Sequence, residues 1–533
     1  MLRRAAADWH VYLPLLLLCV LVAPHVVFLL PASTDLSDTD IYQPLRTLKF
    51  FKSAGQEYHK YGPIPNFILA APYAVCLACW KATGDFSSPA SDFPYGLRRP
   101  LEQLGTLILI SRALFVLIGC VMFGLLAVAM HRFVRNKLAV LFAMLLLVVG
   151  NPILVWKLPV PEIDSPMYTF TAGAMAMFTL MLADGPSTRR WIWMTLFSVA
   201  AVSSKELAAP IIAAMFAVLA VVTWRGARSD PAARRRWLRA AVGITSAAVV
   251  LYLLANVIYS PRNWWTRVHY WLAGEGLDSA VWGGRTGWNL VCGIASAVAD
   301  NLGPGGVVAM IVLLVAALVR RDRVSWLLLI PAIAMLPVLL FVRYTPDRFY
   351  TVATLALAPF AARGIAELLG QARLRAAAIG LFGLLAVANL WFATVTWEWL
   401  ARNEFLAAER HALANVPKDK TVAVLSTYSN AKGSSRFEWL GYPTEVRAVQ
   451  EWMNASRRPD VVYVSERRYR YMLDARRLRG RAEMLARDAG FDISQFPGLE
   501  AMGYRARRIG RPATWLRPFW FMPAIRHLPE RHV

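Results

Sequence analysis

Acidic side chains are scarce in this chain, 34 Asp and Glu among 533 residues, so the places where they gather are informative. Asp35, Asp38 and Asp40 fall close together in STDLSDTDIYQ, and Glu162 and Asp164 share WKLPVPEIDSPMYTF. Lys205 and Glu206 are adjacent in SSKELAAP, and Arg343, Asp347 and Arg348 share VRYTPDRFY. A positioned carboxylate can take the proton from an attacking hydroxyl. Lysine and arginine can hold a phosphate and stabilise the charge that grows on it as it leaves. Each segment also has a plainer explanation. An Asp at the end of a span is often a helix cap, which suits Asp35 best and accounts for one of Glu162 and Asp164 ahead of Ser165-Pro166. Asp38 and Asp40 together exceed what a cap needs. Lys205 is open to explanation as a snorkelling side chain, and Arg343 and Arg348 as contacts to lipid headgroups. One such segment says little; four on one surface would make a site.

The elements that must bring them together are membrane spans. The chain is 57% hydrophobic and only 17% charged, and its apolar runs are long. The pattern predicts a mainly α fold: a polytopic bundle of about eleven spans, near 11–30, 104–130, 138–155, 166–183, 191–203, 207–223, 240–260, 304–319, 325–342, 350–365 and 376–396. Basic loops at 131–137, 187–190, 224–239, 320–323 and 371–375 all take the cytoplasmic side if the N-terminus is inside. The first span reads as uncleaved. Residues 31–103 then form a long outer loop. The apolar stretch near 64–80 is a helix at or dipping into the outer face, because a crossing there would invert every later loop. The turn at SSKE and the loop 261–303 lie outside as well. The four polar segments share that face.

The tail after about residue 400 is polar. TVAVLST at 421–427 and DVVYVSE at 460–466 predict short strands, and 469–491 predicts a helix. The expected division is a membrane module over 1–400 and a small extracytoplasmic α/β domain over 401–533. The formal net charge of +24 sits largely in short loops between apolar runs, which indicates orientation in a membrane rather than nucleic-acid binding. Five cysteines give no disulfide framework. Cys76 and Cys79 form a CxxC inside an apolar run, where a metal pair would want polar flanks; Cys19, Cys120 and Cys292 read as small apolar filler. Asn454-Ala-Ser456 matches a glycosylation sequon, a pattern common by chance.

Carboxylates, a lysine and arginines at an outer membrane surface suit a sugar held on a polyprenyl phosphate. Its phosphate emerges at headgroup level, and direct displacement by an acceptor hydroxyl inverts the anomeric centre. No nucleotide fingerprint is present, and none is needed there.

The order of motifs resembles the GT-C polytopic glycosyltransferases, in particular the dolichyl-phosphate-mannose protein mannosyltransferases and the aminoarabinose transferases of lipid A. The resemblance rests on SDTDIY at 37–42, YHKYGPIPNFILAAPY at 58–73, SRALFVLIG at 111–119, EIDSPMYTF at 162–170 and SSKELAAP at 203–210. TPDRFYTVATLALAPFAARGIAELL at 345–369 is similar to a late span of the same group. It covers roughly residues 11–400. It implies that Asp38, four residues before Tyr42, is the catalytic base, with Asp40 as a second carboxylate or as the base itself. The expected substrate-binding residues are Glu162, Asp164, Lys205, Glu206, Arg348, Tyr42 and Tyr61; of these the resemblance implies Asp164 in its second acidic motif, Lys205 in the family's lysine turn and Arg348 as a candidate phosphate contact. Thr39 stands where the family often has an acid, and Glu206 where it has a small residue.

The expectation is an inverting, polyprenyl-phosphate-sugar-dependent glycosyltransferase in a bacterial inner membrane, its site and C-terminus facing the periplasm. The bacterial assignment rests on the Ala- and Arg-rich composition. Expected partners are membrane lipid, the lipid-linked donor and a glycan, lipid or protein acceptor, with no nucleic acid. No cofactor is called for, and a divalent cation is compatible with the pattern without being indicated by it. A transporter or flippase of lipid-linked glycans would instead place charges inside spans and break helices near the midplane. A non-catalytic scaffold would tolerate loss of Asp38 and Asp40.

Overall fold

The computed structural model describes residues 8–27, 42–53, 62–88, 90–91, 95–226, 231–258, 261–272, 287–342, 347–394, 396–397, 404–424, 441–443 and 459–463. Asp35, Asp38, Asp40, Tyr61, Arg343, the sequon and the helix expected over 469–491 lie outside these residues. Among the described residues the elements are helices up to the C-terminal region, apart from a single β-bridge between Phe86 and Leu97. In order come α1 (Trp9–Val27), α2 (Tyr42–Ser53), α3 (Ile64–Ala82), α4 (Pro100–Val134), α5 (Lys137–Met144), α6 (Pro152–Lys157), α7 (Asp164–Asp184), α8 (Thr188–Ser204) and α9 (Ala209–Gly226). They are followed by α10 (Pro231–Leu253), α11 (Pro261–Leu272), α12 (Gly287–Arg320), α13 (Arg323–Ile333), α14 (Leu336–Val342), α15 (Asp347–Ala356), α16 (Ala358–Leu369), α17 (Arg375–Ala393) and α18 (Glu404–Asn415).

Each of the eleven expected spans holds helix. Among the described residues, seven helices are long and apolar enough to cross a membrane, or eight if α15 and α16, bent by 43° at their junction, count as one. The expected boundaries need correction where loops were expected: of the basic loop 224–239, residues 224–226 belong to α9 and 231–239 to α10. Residues 261–303 are not a loop throughout: α11 and the first half of α12 occupy 261–272 and 287–302. The Asn, Gly, Ser and Asp residues of that half-helix dilute its apolar signal. Helix α3, expected as a helix at or dipping into the outer face, is one of the seven by length and composition.

Two ends of the bundle differ in character. At one end Arg132, closing α4, and Arg190, in the first turn of α8, both pair with Asp184 at 3.4 and 2.7 Å. Arg363 pairs with Asp322 at 2.7 Å and Glu367 at 2.9 Å, and Arg320 with Glu367 at 3.2 Å. The Arg363 guanidinium stands 6.0 Å from the Phe133 ring, which ties the two groups into one layer. The His10 and His131 rings, 4.3 Å apart, bring the start of α1 to the same end. Asp322 caps α13 through the Val324 and Ser325 amides. Burial alone would raise its pKa, but hydrogen bonds from Arg363, Ser325 and the Val324 amide hold it at about 2. Four of the five basic loops, at 131–137, 187–190, 320–323 and 371–375, are thus anchored at or beside this layer.

The other end carries Asp164. Helix α7 has 21 residues, about 31 Å at 1.5 Å per residue, which matches a hydrocarbon layer of about 30 Å. Helix α4 has 35 residues, so about 20 Å of it projects beyond the level of Asp164. Helix α3 packs on that projection, with the Tyr73 hydroxyl 2.6 Å from Ser111 Oγ and donating to the Leu107 carbonyl at 3.1 Å. After α3 the chain returns to the start of α4, where Asp85 meets Arg99 at 3.1 Å and its carbonyl accepts from Gln103. The other end of α3 begins at Gly62, against Ser203. Both ends of α3 therefore belong to the Asp164 end, and the helix does not reach the basic layer.

One internal break is closed by a single side chain. Helix α12 is interrupted at Gly303, with φ 66° and ψ 172°, followed by Pro304. A break of this kind frees backbone groups that hydrocarbon cannot satisfy. The fully buried Asn389 of α17 supplies them. Its Oδ1 accepts from the Gly305 and Gly306 amides at 2.8 and 3.1 Å, and its Nδ2 donates to the Leu302 and Leu146 carbonyls at 2.7 and 2.9 Å. The Leu146 carbonyl lies in a π-helical turn, Leu145–Val149. Asn389→Ala is expected to destabilise the protein by about 2–4 kcal/mol, since each buried group left unpaired costs about 1–3 kcal/mol. Thermal unfolding in detergent measures it, and an unchanged midpoint would remove Asn389 from this role.

In the C-terminal region β1 (Val422–Val424) pairs in parallel with β2 (Val461–Tyr463), inside the two segments expected to be strands. Tyr442 donates to the carbonyls of Ala412 and Val416 and so fastens α18 to this pair.

Candidate active site

The site is built on three helix ends. Asp164 is the first residue of α7, and the chain reaches it through WKLPVPEID. Asn151 caps α6 through the Leu154 amide at 2.9 Å, and Ser165 Oγ donates to the Leu158 carbonyl at 2.8 Å. That folds residues 158–163 tightly and presents Asp164 inward, 1% exposed. It is not a cap: the N-cap position is Ile163, and no side chain caps α7.

Lys205 comes from the break between α8 and a single 3-10 turn, Glu206–Ala208. Its backbone is extended, φ −157° and ψ 127°, which turns the side chain out of the helical path and into the bundle. The break is held on two sides. Asn256 Nδ2 donates to Ser203 Oγ at 2.7 Å, and Gly62 lies directly on the Ser203 carbonyl, where a β-carbon would collide with it. Gly62→Ala must therefore displace the lysine turn or the start of α3. It is expected to cost about 1–3 kcal/mol as an overpacking change, read as a lower unfolding midpoint; wild-type stability would show that the approach is not enforced.

Lys205 Nζ donates to Asp164 Oδ1 at 2.5 Å, with both side chains 2% exposed, and lies 4.5 Å from the centre of the Phe349 ring. Arg348, the second residue of α15, approaches Asp164 Oδ2 at 3.8 Å through Nε and is 32% exposed. One carboxylate thus faces two cations, one buried and tight, the other half-exposed and looser. A second buried pair stands beside it: Lys157 Nζ to Glu162 Oε1 at 2.9 Å, with Lys157 also 3.9 Å from the Trp156 ring. Charges taken out of water survive only when paired in this way. The two pairs lie within electrostatic reach of each other, Asp164 of Lys157 and Lys205 of Glu162.

The arrangement can bind an anion. Over the described residues of this cluster, three cations meet two carboxylates, and Arg348 is the cation turned toward the outside. A phosphate reaching this end would meet the Arg348 guanidinium, with Lys205 behind it at a depth where electrostatic stabilisation is strong. No group of three or more His, Cys, Asp or Glu able to hold a metal occurs among the described residues.

A comparison with solved structures finds similarity to the Archaeoglobus fulgidus oligosaccharyltransferase, crystallised with Zn and sulfate, at a TM-score of 0.42 and 13% identity. The match covers 82% of this chain and 62% of that one, so this chain spans less than two thirds of that protein's length. No family model matches the chain, and no curated protein matches it. A likeness of this degree carries no chemistry across, and the case for function rests on the side chains themselves.

Three of the four segments singled out by their charges come together: Glu162 with Asp164, Lys205, and Arg348. Lys205 does not snorkel; it is buried on Asp164. Glu206 opens the 3-10 turn and is half-buried. Tyr42 opens α2. Lys157, Asn256 and Tyr168 escaped the reading of the sequence. The signal for Lys157 was there, a lysine in the apolar run PILVWKLP five residues before an acid. Asn256 and Tyr168 carry no local signal, since both look like ordinary residues of apolar helices.

Proposed function

We propose that this protein is a glycosyltransferase of the GT-C type that moves a sugar from a polyprenyl-phosphate carrier to an acceptor hydroxyl, with inversion, on the extracytoplasmic face. The observation that carries the proposal is the buried Asp164 holding Lys205 and Arg348 together, a membrane thickness away from the basic layer. A carrier phosphate at headgroup level would meet this end, and the positive-inside rule puts the basic layer in the cytoplasm. In this mechanism Lys205 and Arg348 stabilise the departing phosphate while Asp38 or Asp40 takes the acceptor's proton. Asp164 acts as the hub that orients the cations and is too firmly engaged by them to serve as the base.

The interruption of α12 at Gly303 is a feature a transporter would share. Here the freed amides of Gly305 and Gly306 and the Leu302 carbonyl are taken by Asn389, which leaves those groups committed to the fold, and the charged cluster stands at a surface. That favours transfer over transport. Mass spectrometry of lipids, glycans and glycoproteins from cells with and without the protein tests the reading. A glycoconjugate lost in the deletion and restored by the wild-type chain, but not by Lys205→Ala, is expected. An unchanged glycome with redistributed lipid-linked glycans would instead support transport.

A further inference from the structure

Arg348 stands at the start of α15, and something must keep that first turn from moving when its guanidinium engages an anion. Tyr168 is fully buried on α7, four residues after Asp164 and so on the same helix face, one turn deeper. Its hydroxyl donates to the main-chain carbonyl of Arg348 at 2.7 Å. Thr351, one turn further along α15, ties that helix to α12, its Oγ1 donating to Asn301 Oδ1 at 2.6 Å. Helix α7 thus fixes Arg348 twice: Asp164 meets its side chain, and Tyr168 holds its backbone.

From this geometry we infer that Tyr168 is a positioning residue for the anion-binding Arg348. The two contacts differ in kind. The guanidinium–carboxylate approach is 3.8 Å, long for a charge-assisted hydrogen bond, on a side chain that is 32% exposed. The phenol–carbonyl bond is short and buried. The exposed part of the guanidinium can therefore meet a phosphate while the backbone behind it stays in place. The role rests on the phosphate-binding reading of the site given above.

The test is binding of undecaprenyl phosphate, the carrier without a sugar, to detergent-solubilised protein. Arg348→Ala is expected to weaken binding by roughly tenfold or more, the loss of a hydrogen bond to a charged group. Tyr168→Phe is expected to weaken it about fivefold with the unfolding midpoint nearly kept, and the double variant should bind no worse than Arg348→Ala alone, because both changes act through one guanidinium. If Tyr168→Phe folds poorly, Thr351→Val, which frees the same end of α15 from Asn301, serves in its place, with a smaller loss that also disappears in the Arg348→Ala background. Losses that multiply in the double variant, or no loss from Tyr168→Phe, would overturn the positioning role while leaving the site intact. Wild-type binding by Arg348→Ala would overturn the phosphate reading itself, and the role of Tyr168 with it.

Discussion

Asp164→Ala is expected to lower stability by about 3–5 kcal/mol and to abolish sugar transfer. Both effects follow from one fact: Lys205 is buried and its ammonium is held by this carboxylate at 2.5 Å. Removing one partner of a buried pair strands the other charge, which costs about 3–5 kcal/mol. Stability alone does not show that the cation has chemistry to do, so the informative variant is the double one. Replacing the whole pair, Asp164→Ala with Lys205→Met, removes the stranded charge and is expected to recover most of the unfolding midpoint, since apolar replacement of a buried pair is often neutral. Transfer should stay absent. A double variant that recovered both stability and transfer would make the pair a structural device and would remove Lys205 from the mechanism.

The second large effect is expected in the first outer loop. Asp38→Asn should lower turnover by about 10²–10⁴-fold, the usual contribution of general-base catalysis, with expression and carrier binding kept. Asparagine retains the shape and part of the hydrogen bonding but cannot accept the acceptor's proton. Asp40→Asn should cost less if Asp40 only orients the acceptor, and Asp35→Asn least, as expected of a cap. A dead Asp40→Asn beside an active Asp38→Asn would move the base by two residues. Full activity in all three would exclude the acidic loop from catalysis. The assay is product formation with equal amounts of folded protein.

Much of the bundle was legible because hydrocarbon permits few solutions. Each long apolar run could only be helix, and the basic loops named one end before any contact was known. The charge cluster was legible for a related reason: ionisable residues near a membrane are costly, so Asp164, Lys205 and Arg348 stood out although 143 residues separate Lys205 from Arg348. What escaped were roles that depend on neighbours. Lys157 looked like a stray cation until the fold paired it with Glu162. Gly62 lay in one of the motifs that carry the resemblance, yet its importance comes from the Ser203 carbonyl, far away in sequence. The half-helix 287–302 was missed because its polar and small residues are tolerable only beyond or within the protein-packed part of the bundle, and local hydropathy does not record that packing.

The side chain that seals the break in α12 also sets a timetable for biosynthesis. Leu146 and Asn389 are 243 residues apart. At about 5–20 residues per second of synthesis, the π-helical turn waits roughly 10–50 s for its last hydrogen-bonding partner, and the break in α12, 84 residues before Asn389, roughly 4–17 s. During that interval the unsatisfied amides and carbonyls must be served by water, lipid headgroups or the insertion machinery. Helix α17 is therefore a late keystone for a core laid down much earlier, and a nascent chain released before it emerges would carry its open backbone into the bilayer, the kind of intermediate that membrane quality control is built to find.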